Sequence, residues 1–158
     1  MPRPWDKLPL VIDASSCAHG LIQDVSAEGF EVLDSIAWAH DRLLPNLEVK
    51  RRVKSVAVHP TCSAGHMRLA TKLDELAREL ADEVHVPVGT TCCGMAGDRG
   101  LLHPELPQSA LRDVKADLDG RALDACVSSN RTCELALQEV TGRPYTSFVF
   151  LLEELTRP

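Results

Sequence analysis

Aromatic side chains are few: three Phe, two Trp and one Tyr among 158 residues. No apolar run approaches the ~18 residues that cross a bilayer, which excludes a transmembrane helix. A dense Lys/Arg block is also missing. The longest basic cluster, Lys50-Arg51-Arg52 with Lys54, reads as a solvated loop, and a net charge of −6 argues against a nucleic-acid docking face. The opening MPRPWDKLPLVIDASS has its charges and apolar residues in the wrong order for a secretory signal. No Gly-, Ser- or Pro-rich linker and no low-complexity segment divides the chain. One domain over residues 1–158 is therefore expected, large enough to bury a core without disulfides. Its expected place is the cytoplasm.

What the chain does have is cysteine, at positions 17, 62, 92, 93, 126 and 133. In a reducing compartment six cysteines are not a disulfide framework. They ask for a metal, a cluster or redox chemistry, or some are simply buried apolar residues.

Short apolar runs alternate with helical patterns. Leu8–Asp13, Lys54–His59, Val84–Val88 and Ala125–Ser128 read as strands. Pro87 suggests an edge position or a strand end for the third. Helices are predicted over Glu31–Leu44, from about Met67 to Leu80, over Pro107–Leu118, from about Arg131 to Thr141, and over Phe148–Leu155. The leucine stripe Leu69, Leu73, Leu76, Leu80 marks a core face. This alternation predicts an α/β fold, a mostly parallel sheet flanked by helices. The stretches VIDASSCAHGLI and CVSSNRTCELAL share a plan: a strand, small polar residues, a cysteine and an apolar helix start.

Cys17, Cys62, the pair Cys92-Cys93 and Cys133 each follow a predicted strand. In a parallel sheet they would lie at the carboxyl ends, where open α/β sheets place ligands. Cys62 and Cys133 fall near helix starts, where free N–H groups favour thiolate. Asn130 is the expected N-cap of the second of these helices. Cys126, inside its strand, reads as a core thiol. The run TTCCGMAGDRG narrows the chemistry. Neighbouring cysteines form a strained disulfide, and a single zinc ion prefers wider spacing. Adjacent thiolates suit a cluster with several iron atoms, and Gly94 and Gly97 allow the loop close approach and positive φ.

The segments HPTCSAGH (His59–His66), CCGMAGDRGLLHPE (Cys92–Glu105) and SSNRTCE (Ser128–Glu134) resemble the cysteine-rich CCG domain. That domain occurs in heterodisulfide reductase and in the iron–sulfur component of glycolate oxidase. The likeness is greatest to the C-terminal part of D-lactate (2-hydroxy-acid) dehydrogenases that carry FAD and iron–sulfur centres. The resemblance implies an electron-transfer domain, fed by FAD on a separate domain or subunit and passing electrons toward quinone or another acceptor. It implies a [4Fe–4S] cluster, noncubane in heterodisulfide reductase, on Cys17, Cys62, Cys92, Cys93 and Cys133, with Gly94 and His59 beside it. Two alternatives stand: a catalytic thiol or cluster site acting on a disulfide or quinone, and a zinc-binding structural module. The family pattern ends C-x-x-C, and here Asn130 replaces the first cysteine, as Ala14 does before Cys17. The chain is accordingly expected to begin inside a degenerate first repeat. Nothing resembles a flavin-binding domain, so it would not oxidise lactate alone. A peripheral position on the inner membrane face is expected if it joins such a complex.

Among the remaining residues, His40, His66, His85 and His103 read as structural or peripheral. Asp98 and Arg99 are expected to pair and anchor the CCG loop.

Overall fold

The computed structural model describes residues 8–25 and 29–158. Its strands are β1 (Leu10–Ile12), β2 (Val32–Asp34), β3 (Val53–Val58), β4 (Ala81–His85), β5 (Ala125–Ser128) and β6 (Tyr145–Ser147). Its α-helices are α1 (Ser15–Val25), α2 (Ser35–Trp38), α3 (Cys62–His66), α4 (Ala70–Leu80), α5 (Arg99–Leu102), α6 (Glu105–Ala110), α7 (Arg112–Leu118), α8 (Arg131–Thr141) and α9 (Phe148–Thr156). A π turn (Ala39–Leu43) and a 3₁₀ turn (Leu44–Asn46) extend α2.

Every strand pairing is parallel. A four-stranded sheet runs β4-β3-β5-β6, and β1 and β2 form a separate pair. The α/β class with parallel sheets is as predicted, and β4 with its following Pro87 is indeed at an edge. After β3 the chain moves outward to β4, then returns to place β5 on the other side of β3. Such a reversal opens a crevice at the carboxyl ends of the two central strands.

Side chains alternate across the sheet with the strand period of two. Val56, Val58 and Val127 face a core built with Ile36, Leu73, Leu76, Leu80, Phe148 and Leu152. Ala57, Cys126 and Tyr145 face a second core with Cys93, Met95, Leu111, Val114, Cys133 and Leu137. Each fully buried leucine contributes about 1.5–3 kcal/mol, so the leucine stripe of α4 alone explains that helix.

Four expectations need correction. The third strand, expected over Val84–Val88, runs over Ala81–His85, directly from the end of α4. Glu31–Leu44 is not one helix: Val32-Leu33-Asp34 forms β2, because it pairs with β1, and Asp34 then caps α2 by accepting the Ile36 N–H at 2.8 Å. The segment over 107–118 breaks at Leu111 into α6 and α7. Strand β6, directly before α9, was not predicted. It is three residues long, and its partner β5 supplies the pairing. No helix among the described residues is long and apolar enough to cross a membrane.

Candidate metal and redox site

The crevice is built from the loops that leave β3 and β5. Ser129, one residue past β5, is the tie between them. Its backbone carbonyl accepts the Ser15 N–H at 3.3 Å. Its hydroxyl takes the Ser15 hydroxyl at 3.1 Å and meets the Thr61 hydroxyl at 3.4 Å. Asn130 adds a bond from Nδ2 to the Ser16 hydroxyl, 2.9 Å. Three chain segments are thus knotted at one buried serine, and each runs within a few residues into a cysteine: Cys17, Cys62 and Cys133. Asn130 occupies the N-cap position of α8 but accepts no backbone N–H there: its Oδ1 takes the Thr132 hydroxyl at 3.3 Å while its Nδ2 donates to Ser16.

The CCG loop brings the other two thiols. Asp117 of α7 anchors its approach by accepting the Val88 N–H at 3.0 Å and meeting His85 Nε2 at 2.6 Å. Those bonds, the backbone one first, lower the Asp117 carboxyl to about 2. His85, expected to be peripheral, is therefore a loop anchor. Gly94 has φ of 78° and lies so close to α6 that a Cβ would stand 2.7 Å from Pro107 Cα. Only glycine satisfies both demands. Buried Met95 pins the loop from beneath, accepting the Gly100 N–H at 2.9 Å.

The result is a sulfur pair. Cys93 Sγ lies 2.7 Å from Cys133 Sγ, both nearly buried at 5% and 4% exposure. The bond from Cys133 lowers the Cys93 thiol to about 7, backbone N–H groups assisting against burial. Cys133 is raised by that same bond, by burial and by the nearness of Cys62 and Cys92. Cys93 therefore ionises first, and Cys133 holds the shared proton. Cys92 is exposed and its sulfur accepts the Gly94 N–H at 3.4 Å. Cys62 and Cys17 are also exposed, in the first turns of α3 and α1. Cys17 is tied to the group through the Ser15–Ser129 and Ser16–Asn130 bonds and through the packing of α1 on α3. Cys126 is a core thiol, and burial raises it.

A match to known proteins now has a geometry to explain. The family model for the CCG cysteine-rich domain covers residues 56–138, more than half of the chain, from within β3 to within α8. The chain belongs to this family. The matched segment holds Cys62, Cys92, Cys93 and Cys133; Cys17 lies outside it. No curated protein matches the chain.

The donor chemistry of this CCG domain fits a soft metal centre, since thiolates select iron–sulfur clusters and zinc. Among the described residues, no three His, Cys, Asp or Glu side chains converge on a point as a single ion requires. His59 stands beneath the Cys62 loop, 1% exposed. Its Nδ1 meets the Ser128 hydroxyl at 3.0 Å and its Nε2 has no partner. Burial lowers it to about 4, so it is neutral. The other expected anchors differ. Asp98 and Arg99 form no ion pair among the described residues, both being exposed at the start of α5. His103 meets Glu105 at 3.2 Å, and His40 meets Asp41 and Glu75, each at 2.7 Å.

Sequence reasoning missed the polar setting. Most of the buried polar side chains among the described residues lie at the carboxyl ends of the strands or in the helix turns that follow: Ser15, Asp34, Ser35, His59, Thr61, Ser128, Ser129, Glu134 and Ser147; the buried Tyr145 hydroxyl, at the start of β6, is an exception. The signal was present as small polar residues directly after each strand, in DASS, HPT and SSN. Two shallow grooves of about 630 and 660 Å³ lie at the opposite, amino ends of β3 and β4 and hold no cysteine.

Proposed function

We propose that this CCG domain is an iron–sulfur electron-transfer module of a flavin-dependent D-lactate or related 2-hydroxy-acid dehydrogenase. Cys17, Cys62, Cys92, Cys93 and Cys133 are its ligands. A flavin-bearing domain or subunit is the electron donor, and quinone or another acceptor takes the electrons on. A quinone acceptor would hold the module at the inner face of the membrane.

The reading is carried by the gathering of Cys62 and Cys92 around the Cys93–Cys133 pair. Adjacent Cys92 and Cys93 favour a body with several metal atoms over one ion. Bound there, an iron–sulfur cluster supplies one-electron chemistry at a potential set by hydrogen bonds to sulfur and by solvent exposure. The chain's residues do the rest. The Gly94 N–H is directed at the Cys92 sulfur, where it favours thiolate. Buried Cys93 and Cys133 exclude water, while exposed Cys62 and Cys92 leave an approach for a redox partner.

Iron and acid-labile sulfide analysis, with an absorption spectrum, on anaerobically purified protein tests this. Iron and sulfide near about four per chain, as a [4Fe–4S] centre requires, support it. Zinc, or no metal after reconstitution with iron and sulfide, rejects it and leaves a structural metal module or a dithiol.

One observation favours that dithiol as a second reading. The approach of Cys93 to Cys133, with Cys93 the more readily ionised of the two, puts two thiols where oxidation would join them as a disulfide. Reduction of a small disulfide by metal-free, pre-reduced protein, lost in Cys93→Ser, would favour it.

A further inference from the structure

The imidazole of His59 is bonded on one side only, and Ser128 settles its tautomer. The single hydroxyl proton of Ser128 goes to the His59 backbone carbonyl at 3.3 Å. The 3.0 Å contact between the same oxygen and His59 Nδ1 therefore takes its proton from the ring. In a neutral imidazole that leaves Nε2 bare, an acceptor with nothing to donate. This nitrogen has no partner, and the residue is 1% exposed.

Two other buried side-chain atoms among the described residues lack a partner: Asp34 Oδ2, beside the separate β1–β2 pair, and the Tyr145 hydroxyl, at the start of β6. His59 differs in where it stands. Its N–H continues the β3–β5 ladder to the Val127 carbonyl at 2.9 Å, so the two-residue alternation of β3 carries one step past its end. Ala57 and Cys126, paired across the strands, face the layer that holds Cys93 and Cys133. His59 and Ser128, each two residues further on, fall on the same face at the carboxyl edge. A buried nitrogen lone pair thus lies on the sulfur side of the sheet.

We propose that His59 Nε2 is a nitrogen ligand of the metal centre, alongside the thiolates. This rests on the metal-centre reading of the cysteines. Imidazole and thiolate are both donors that iron and zinc accept. A ligating histidine ordinarily gives its other ring N–H to an acceptor that fixes the ring, and Ser128 is that acceptor. A buried lone pair without a partner is costly, and a metal bond removes the cost. No three donor side chains converge among the described residues, and a division of labour follows. His59 is held by the strand ladder and by Ser128, whereas Cys62 and Cys92 are exposed, one on the first turn of α3 and one on a loop. The exposed thiols close on a nitrogen that is already in place. A neutral nitrogen leaves the centre less negative than a further thiolate would, and so raises its potential. That suits delivery of electrons to an acceptor such as a quinone.

Nitrogen-15 histidine NMR of the whole chain reads the ring first. The His59 signals are assigned by their loss in His59→Gln or, should that variant not fold, by their shift in Ser128→Thr. Nδ1 is expected to carry the proton and Nε2 to be bare; the reverse tautomer overturns the proposal. Cadmium-113 is then added as the probe metal. A scalar coupling between the metal and His59 Nε2 is the expected result. Failure to bind cadmium overturns the assignment, and so does bound cadmium with no coupling to this nitrogen, as a buried water on Nε2 would leave it. Ser128→Ala should weaken cadmium binding about tenfold to a hundredfold, the effect of removing a ligand's orienting partner, and should mix the two tautomers. Ser128→Thr should restore both, whereas a merely structural serine would leave the tautomer unmoved. After reconstitution with iron and sulfide, pulsed EPR of the reduced protein should show a nitrogen coupling that His59→Gln lacks, and a spectrum without it overturns the ligand. If no iron–sulfur centre forms, the electron-transfer reading fails by itself, while the cadmium coupling still upholds or overturns His59 as a ligand.

Discussion

The segment β1-α1-β2-α2 and the segment β5-α8-β6-α9 are built on one plan. In each, a strand leads into an eleven-residue helix, a parallel partner strand follows, and a helix begins at once. The register matches: Ile12 faces Asp34 as Ser128 faces Ser147. Asp34 and Ser147 both cap the following helix, and Cys17 and Cys133 both sit in the first helical turn. The differences lie in what covers each segment. Helix α8 is packed under α6 and α7, and its Leu137 is 0% exposed; the matching Leu21 of α1 is 39% exposed. Strand β5 is flanked by β3 and β6, whereas β1 pairs with β2 alone among the described residues. Asp13 and Asp34 stand where the second segment has Ser129 and Ser147. The same local plan thus yields a buried thiol in one place and an exposed thiol beside a carboxyl pair in the other.

The sharpest way to break this comparison is at the cysteines. Under the proposed function, Cys133→Ser should reduce bound iron to background, because Cys133 is the sulfur that meets Cys93. Cys17→Ser should lower iron without abolishing it. Iron and sulfide per chain in the two variants decide, and equal losses would make the two segments equivalent at the site.

Packing comes next. Leu137→Ala should cost about 2–5 kcal/mol, the range for a buried leucine, while Leu21→Ala should stay within about 0.5 kcal/mol as a surface change. Urea midpoints at constant slope measure both. A smaller difference is expected at the caps. Ser147→Ala removes the bond to the Val149 N–H and should cost ~1 kcal/mol, whereas Asp34→Asn keeps an oxygen for the Ile36 N–H and should cost less.

The smallest effect concerns acid. Asp117, which anchors the loop covering the second segment only, has its folded value lowered to about 2 from an unfolded 3.8. Its stabilisation is present above 3.8 and is lost as the pH falls toward 2. Wild-type protein should therefore lose stability over that window, and Asp117→Asn, already lacking it, should change less. Acid-unfolding curves followed by circular dichroism would show the converging lines.

Much of this was legible in the chain. Ala125–Ser128 and Arg131–Thr141 were readable to the residue, because a run of buried β-formers and a clean helical period leave little choice. Strands β2 and β6, three residues each, were not. VLD and YTS have no period of their own, and they become strands only because β1 and β5 offer parallel partners. At the site, the CCG run announced sulfur chemistry, and Gly94 announced a tight turn. Ser129, Thr61, Ser15 and Asp34 announced nothing, since a serine after a strand looks the same whether it meets water or another loop.

By itself, then, the sequence determined the α/β class, the cysteine spacing and the loop that only glycine can close, all consequences of local periodicity and backbone sterics. The tertiary structure decided which sulfurs meet, why His59 and Asp34 are left with unpaired atoms, and which of two similar segments is buried. Those depend on contacts between residues as far apart in the chain as Ser15 and Ser129, and no local pattern encodes contacts over that separation.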